Sequence, residues 1–229
     1  MIINTEILII FGVFMLLSWL VSKQLKTRFA KYSRMPLRSG LSGRDIAEKM
    51  LRESGVENVR IISTPGKLTD HYNPINRTVN LSPEVYNGRS VAAAAVAAHE
   101  CGHAVQHARA YAFLQLRSAL VPVISVSSRY MQWILLIGIL TMETMPGILL
   151  AGIVMFGATT LFSFITLPVE FDATNRALAW LTNTGITVGE EYSNAKDALK
   201  WAALTYVVAA LASLATLLYY IMIFMGRRS

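Results

Sequence analysis

Apolar residues gather into four long runs, Ile7 to Val21, Ala119 to Met142, Pro146 to Pro168 and Ala202 to Met225, and the stretches between them carry helical or strand periodicity. These runs are of the order of the ~20 residues that a membrane-spanning helix needs. The fourth is the clearest, with 24 residues and no charge. The first has Glu6 where a cleavable signal would carry bases, and bases where it would carry a small-residue cleavage site, so a retained anchor is expected. The second holds Arg129 near its middle, a charge that must snorkel, pair or face a wet cavity.

Between the first run and residue 91 the pattern shortens. "LSGRDIAEKMLRESG" predicts a helix with Ser42 as N-cap, Asp45 in the capping-box position, Ile46, Ala47, Met50 and Leu51 on one face, and Gly55 just past its end. "NVRIIST" and "RTVNLS" are short β-branched runs with Pro-Gly and Asn-Pro turns between them, which predicts two or three small strands. Ser82-Pro83-Glu84 opens a further helix, and Ser90 caps a long alanine-rich one. After the third run, "LPVEFDATNRALAWLTNTG" resumes a helical rhythm through Val169, Ala173, Ala177 and Trp180 or Leu181, ending at Gly185. "EEYSNAKDALKWAALTYV" then leads as one helix into the fourth run.

The fold class that follows is mainly α and integral to a membrane: about four transmembrane helices plus a small α+β unit with a short β-hairpin or sheet. In residue ranges, the expectation is an anchor over 1–22 and a cytoplasmic α+β region over 23–117. A transmembrane hairpin follows over 118–168, a helical region over 169–201, and a last spanning helix with its tail over 202–229.

Composition agrees, with 54% hydrophobic and 15% charged residues, too apolar for an ordinary soluble domain. The net charge is +7, and Lys23, Lys26, Arg28, Lys31, Arg34 and Arg38 fall together just after the first run with no acid among them. That cluster reads as a positive-inside signal in contact with lipid headgroups rather than as a nucleic-acid surface. It places the region from Lys23 onward in the cytoplasm and the N-terminus outside. Four spans then put the C-terminal "GRRS" outside, against the same bias, though two bases are outvoted by six. A lone cysteine, Cys101, excludes an internal disulfide framework and suits a reducing compartment.

The chemistry concentrates in the alanine-rich helix, which reads "AAHECGH" over 97–103. Residues four apart on an α-helix differ by ~40° in azimuth and ~6 Å in height, so His99 and His103 project side by side and both can reach one ion. A catalytic zinc takes three protein ligands and leaves its fourth position to water. Glu100, next to the first histidine, lies where it can take a proton from that water.

The third ligand is less direct. "HAVQHARAYAF" offers Gln106 and His107 but lacks the turn glycine of the metzincin pattern. His107 shares the face of His103, yet three ligands at consecutive four-residue steps would stretch the ion along a straight helix, so His107 is expected to line the cleft. A carboxylate from a second helix completes the site more naturally, and Glu170 is the prime candidate. The chain must cross the bilayer an even number of times between His103 and Glu170 for them to meet, and two apolar runs joined by "ETMPG" lie there.

Taken together, "LTDHYNP", "VNLSPEVYNGRSVAAAAVAAHECGHAVQHA", "LPVEFDATNRAL" and "LKWAALTYVVAAL" resemble the neutral zinc metallopeptidases of the YugP type, small bacterial integral-membrane proteins. That family is similar in layout to the HtpX and CAAX prenyl endopeptidases. The resemblance implies one Zn2+ held by His99, His103 and Glu170, with Glu170 in the place of the carboxylate of an "EFxAD" helix. This chain reads "EFDAT", so Thr174 stands where an Asp is expected. Asp172, Asn175 and Thr174 are left as candidates for the group behind the zinc-bound imidazoles.

The implied activity is an endopeptidase of the inner (plasma) membrane with its site facing the cytoplasm, acting on peptides or membrane proteins at the lipid bilayer, with no nucleic-acid partner. His71, Tyr72, Arg176 and Tyr206 are the candidate donors to the oxyanion, and "TVNLS" offers an edge strand for an extended substrate. Two other classes compete: a non-catalytic scaffold pinned by structural zinc, which has no use for Glu100, and a transporter or channel, for which only Arg129 and the apolar bulk speak.

Overall fold

The computed structural model describes residues 5–226, with side chains from Leu8 onward; the Glu6 side chain and residues 227–229 of the tail lie outside the described residues. The chain divides into two compact units. One comprises the chain up to Leu20, Gln115–Leu167 and the chain from Thr205; the other comprises Val21–Leu114 and Pro168–Leu204. Ten elements follow in the order α1 (Thr5–Tyr32), α2 (Gly43–Glu53), β1 (Arg60–Ser63), β2 (His71–Asn73), β3 (Thr78–Leu81), α3 (Pro83–Tyr86), α4 (Val91–Ala108), α5 (Ala112–Leu140), α6 (Pro146–Asn183) and α7 (Glu190–Gly226).

The first unit is helical. Four helices, α1, α5, α6 and α7, are long and apolar enough to cross a membrane. Trp19, Val126, Trp133, Val154 and Met222 are exposed on them, large side chains that water would penalise and lipid accepts. Arg129 is also exposed, on α5. Within the unit, Met131 and Leu135 of α5 pack on Leu149 and Ile153 of α6, with Leu217 and Tyr220 of α7 alongside. Close approach of α5 and α6 depends on glycine. A Cβ at Gly138 would meet the Leu149 Cα at 2.5 Å, and one at Gly152 would meet Leu135 Cδ2 at 2.8 Å. A hydroxyl pair, Thr160 Oγ1 to Ser213 Oγ at 2.7 Å, joins α6 to α7 where few polar partners exist.

The second unit holds the α+β part. Its core draws on Ile46, Met50 and Leu51 of α2, Val79 and Leu81 of β3, the alanines of α4, Ala177 and Leu181 of α6, and Leu199 of α7. The capping box of α2 forms as the sequence predicts: Asp45 N–H donates to Ser42 Oγ at 3.2 Å and Ser42 N–H to Asp45 Oδ2 at 2.9 Å. The Ser42 hydroxyl, 2.7 Å from Asp45 Oδ2, and after it the Ser42 N–H hold the Asp45 carboxyl below its usual range. Ser90 Oγ caps α4 by accepting from Ala93 N–H at 3.2 Å. Tyr32, buried at the end of α1, donates to Asp197 Oδ2 of α7 at 2.6 Å, and Arg28 sits 3.3 Å from the same oxygen. Arg28, counted above among the headgroup bases, is therefore half of an ion pair within the protein.

One expectation changes. The strands form a single three-stranded sheet in the order β1-β3-β2, with β1 parallel and β2 antiparallel to β3. The "TVNLS" strand is therefore central, its two edges already taken, and the open edges belong to β1 and β2. The third apolar run and the helical segment after it form one helix: α6 continues through Pro168, because a proline removes one N–H from the ladder while bonds on either side persist. Likewise α5 begins at Ala112, seven residues before the apolar run that announced it.

Candidate metal centre

The site is built where α4 and α6 touch. Eight of the 18 residues of α4 are alanine, so its backbone can come close to a neighbour, and Gly102 brings it closest: a Cβ there would lie 2.7 Å from the Ala173 carbonyl oxygen of α6. On either side of that contact, one turn apart, stand His99 and His103, with imidazole centroids 4.8 Å apart and planes at 82°. From α6, Glu170 extends between them. Its Oε2 lies 3.3 Å from His99 Nε2 and 3.6 Å from His103 Nε2. The three ligand atoms all fall within 4.8 Å of one another, in surroundings where Glu170 and His103 are buried and His99 nearly so.

The far side of each imidazole is engaged by protein. His99 Nδ1 is 3.3 Å from Thr174 Oγ1, one helical turn after Glu170. His103 Nδ1 is 3.0 Å from Oε1 of Gln106, which is fully buried and donates through Nε2 to the Val169 carbonyl and to Asp172 Oδ2, both at 2.8 Å. Arg176 Nε donates to the same Asp172 oxygen at 2.5 Å, with its guanidinium 5.9 Å from the Tyr111 ring centroid. Burial opposes a charge on His103, but Glu170 and Glu100 outweigh it and hold the imidazole pKa above its ordinary value. Glu100 itself is buried on α4.

Beyond His103 along α4, His107 Nδ1 and Tyr72 Oη of β2 form a 2.7 Å hydrogen bond. They border a cavity of about 310 Å3 whose walls include Val56, Val59, Arg77 and Ala104. Burial pushes the Tyr72 hydroxyl pKa up, although Arg77 opposes it.

A comparison with known proteins matches residues 7–225 to the family described as "Putative neutral zinc metallopeptidase". The chain belongs to this zinc metallopeptidase family. It is 40% identical over 212 residues to the "Putative membrane protease YugP" of Bacillus subtilis (strain 168), covering 93% of each chain. No solved structure matches.

Within this metallopeptidase the remaining candidates scatter. Asp172 lies on a different face from Thr174, as its spacing implies, yet it is linked to His103 through Gln106. Arg176 pairs with Asp172, and Tyr72 pairs with His107 at the cavity. Asn175 is exposed on α6, and His71 is exposed on β2 with Nδ1 donating to the Thr69 carbonyl at 2.8 Å. Tyr206 belongs to the other unit, on α7. Sequence reasoning passed over Gly102 and named Gln106 only beside His107, without giving it a role behind His103. The signal for Gln106 was a polar side chain three residues after His103 on a helix rich in alanine and valine; for Gly102 it was a helix-weakening residue inside a helix otherwise rich in strong formers.

Proposed function

We propose that the chain is a multi-pass plasma-membrane endopeptidase in which His99, His103 and Glu170 hold one zinc ion and Glu100 is the general base. The observation that carries this reading is the convergence of two imidazole Nε2 atoms and a carboxylate oxygen within 4.8 Å in a buried place, each imidazole held from behind at Nδ1. Glu170 Oε2 faces the two Nε2 atoms at 3.3 and 3.6 Å, an arrangement that a shared cation satisfies. Two imidazoles and one carboxylate are also the donor set that catalytic zinc accepts.

When bound, zinc acidifies a water towards pKa ~7 and polarises a peptide carbonyl. Glu100 takes a proton from the attacking water and returns it to the nitrogen of the departing fragment, work worth roughly 10² to 10⁴ in rate. Thr174 and Gln106 keep the two imidazoles aimed. The Tyr72–His107 pair brings a phenolic hydroxyl to the border of the cavity, and on this reading it is the candidate donor to an oxyanion.

Substrates on this reading are membrane or membrane-proximal peptides. The basic cluster from Lys23 to Arg38 argues that the zinc unit faces the cytoplasm, and the two intervening spans, α5 and α6, fit Glu170 on the same side as α4. The test is Glu100→Gln in detergent-purified protein, with zinc content by elemental analysis and cleavage of casein and membrane-derived peptides. Retained zinc with at least a hundredfold loss of cleavage is expected. Wild-type protein that holds zinc but cleaves nothing would make the site a structural pin, and protein that takes up no zinc would end the proposal.

A further inference from the structure

We infer that Gln106 is a positioning residue for the metal centre: its amide fixes His103 as the Nδ1–H tautomer, so that the Nε2 lone pair faces Glu170. This rests on the zinc reading above and adds to it a residue outside the ligands and the base.

The argument starts from donors and acceptors. Gln106 Nε2 lies 2.8 Å from the Val169 carbonyl oxygen and 2.8 Å from Asp172 Oδ2. A carbonyl can only accept, and a carboxylate that receives an arginine Nε–H at 2.5 Å accepts as well. Both amide hydrogens of Gln106 are therefore spent on the α6 side. Reversing the amide would set its oxygen against two oxygens at 2.8 Å inside a fully buried pocket, which is repulsive. Oε1 must then face His103, and since it can only accept, the 3.0 Å contact requires the hydrogen to sit on Nδ1 of the neutral ring. The metal-facing nitrogen is left bare.

The polarity of α6 thus reaches the ligand through one side chain: Arg176 orients Asp172, Asp172 with the Val169 carbonyl orients Gln106, and Gln106 orients the imidazole. Behind the other imidazole, among the described residues, stands the Thr174 hydroxyl, which can donate or accept and so fixes no tautomer. His103 is the more firmly determined of the two ligands.

The test measures zinc affinity by competition with a chromophoric chelator on the full chain in detergent, beside ¹⁵N NMR of histidine-labelled protein, which contains four histidines. Gln106→Leu and Gln106→Glu should each weaken zinc binding roughly 10- to 100-fold, the usual effect of removing a partner behind a ligating imidazole. Adding Asp172→Asn to Gln106→Glu lets the position-172 amide donate to the position-106 carboxylate, and this pair should recover part of the loss, the Val169 carbonyl still opposing the carboxylate. In the metal-free wild type at pH 8.5, the His103 ring should show its proton on Nδ1.

A role confined to packing would lower the melting temperature of Gln106→Leu without moving the zinc affinity, and the double variant would bind no better than Gln106→Glu. Either outcome overturns the inference, as does an Nε2–H tautomer in the wild type. That NMR measurement needs no variant to fold. A wild type that shows the Nδ1–H tautomer but binds no zinc would overturn the metal reading alone.

Discussion

Gly102→Ala is the smallest change that should separate the two halves of the metal centre. An added Cβ would lie 2.7 Å from the Ala173 carbonyl oxygen and 3.2 Å from both its carbonyl carbon and its Cα. All three are backbone atoms of α6, so no flexible side chain can swing aside. Ordinary carbon contacts begin near 3.4 Å, and the helices must move apart by about 0.7 Å to reach that distance. Overpacking of this kind costs about 1–3 kcal/mol. The displacement falls between His99 and His103 on one helix and Glu170 on the other, while a functional constellation tolerates only about 0.5 Å. Zinc affinity should accordingly fall at least tenfold, and peptide cleavage with it, in protein that still folds at 20 °C. Chelator competition and thermal unfolding of the metal-free and zinc-loaded protein measure both effects. The zinc-dependent rise in melting temperature should shrink in the variant by more than the metal-free melting temperature does. A Gly102→Ala protein with wild-type zinc affinity would refute the idea that this contact sets the ligand spacing.

Three further outcomes follow, two from the metal site and one from Asp70. The raised His103 pKa means that a proton competes with the metal in the range at and above the imidazole's ordinary value; zinc affinity should rise with pH there by about tenfold per unit for each proton displaced, read by chelator competition from pH 5.5 to 8.5. For the metal-free protein the sign reverses. The attraction between protonated His103 and Glu170 is fully present below that ordinary value and is lost as pH rises through the folded pKa, so metal-free thermal stability should decline over the interval while zinc-loaded stability holds. Asp70→Ala should cost about 1–3 kcal/mol in unfolding, because the carboxylate accepts from Ser82 N–H at 2.7 Å and from Ser82 Oγ at 3.2 Å, and Ser82 is buried; unchanged unfolding would mean that water replaces both bonds.

What could be read from the sequence was what depends on period and spacing within one segment. The four apolar runs, the Ser42 and Ser90 caps and the side-by-side projection of His99 and His103 are local consequences of helix geometry, and all are present. Glu170 was reached by a different route, a count of membrane crossings, which asks only on which side a residue emerges. Properties that depend on how segments meet were not legible. The central place of β3 is decided by which strands pair, and short β-branched runs do not encode pairing order. Pro168 lies within α6 because surrounding bonds carry the helix past it, a matter of context rather than propensity.

The substitution at Thr174 shows the same division and suggests why the departure is tolerated. An Asp at 174 would place a carboxylate behind His99 and fix its tautomer directly; Thr174 supplies a weaker, ambivalent partner at 3.3 Å. The negative charge on this helix stands instead at Asp172, turned away from His99 by its position and neutralised by Arg176. It reaches the site only because Gln106 spans from Asp172 to His103, and Gln106 can span only because Gly102 lets α4 lie against α6. The charge of Asp172 thus supports His103 rather than His99, through an amide that a sequence pattern centred on histidine and acid does not register. Restoring Thr174→Asp tests this. If the amide-mediated bond is sufficient for His103 and the hydroxyl is the weak link at His99, the variant should tighten zinc binding, whereas a weaker zinc complex would mean that the site depends on keeping that second carboxylate out.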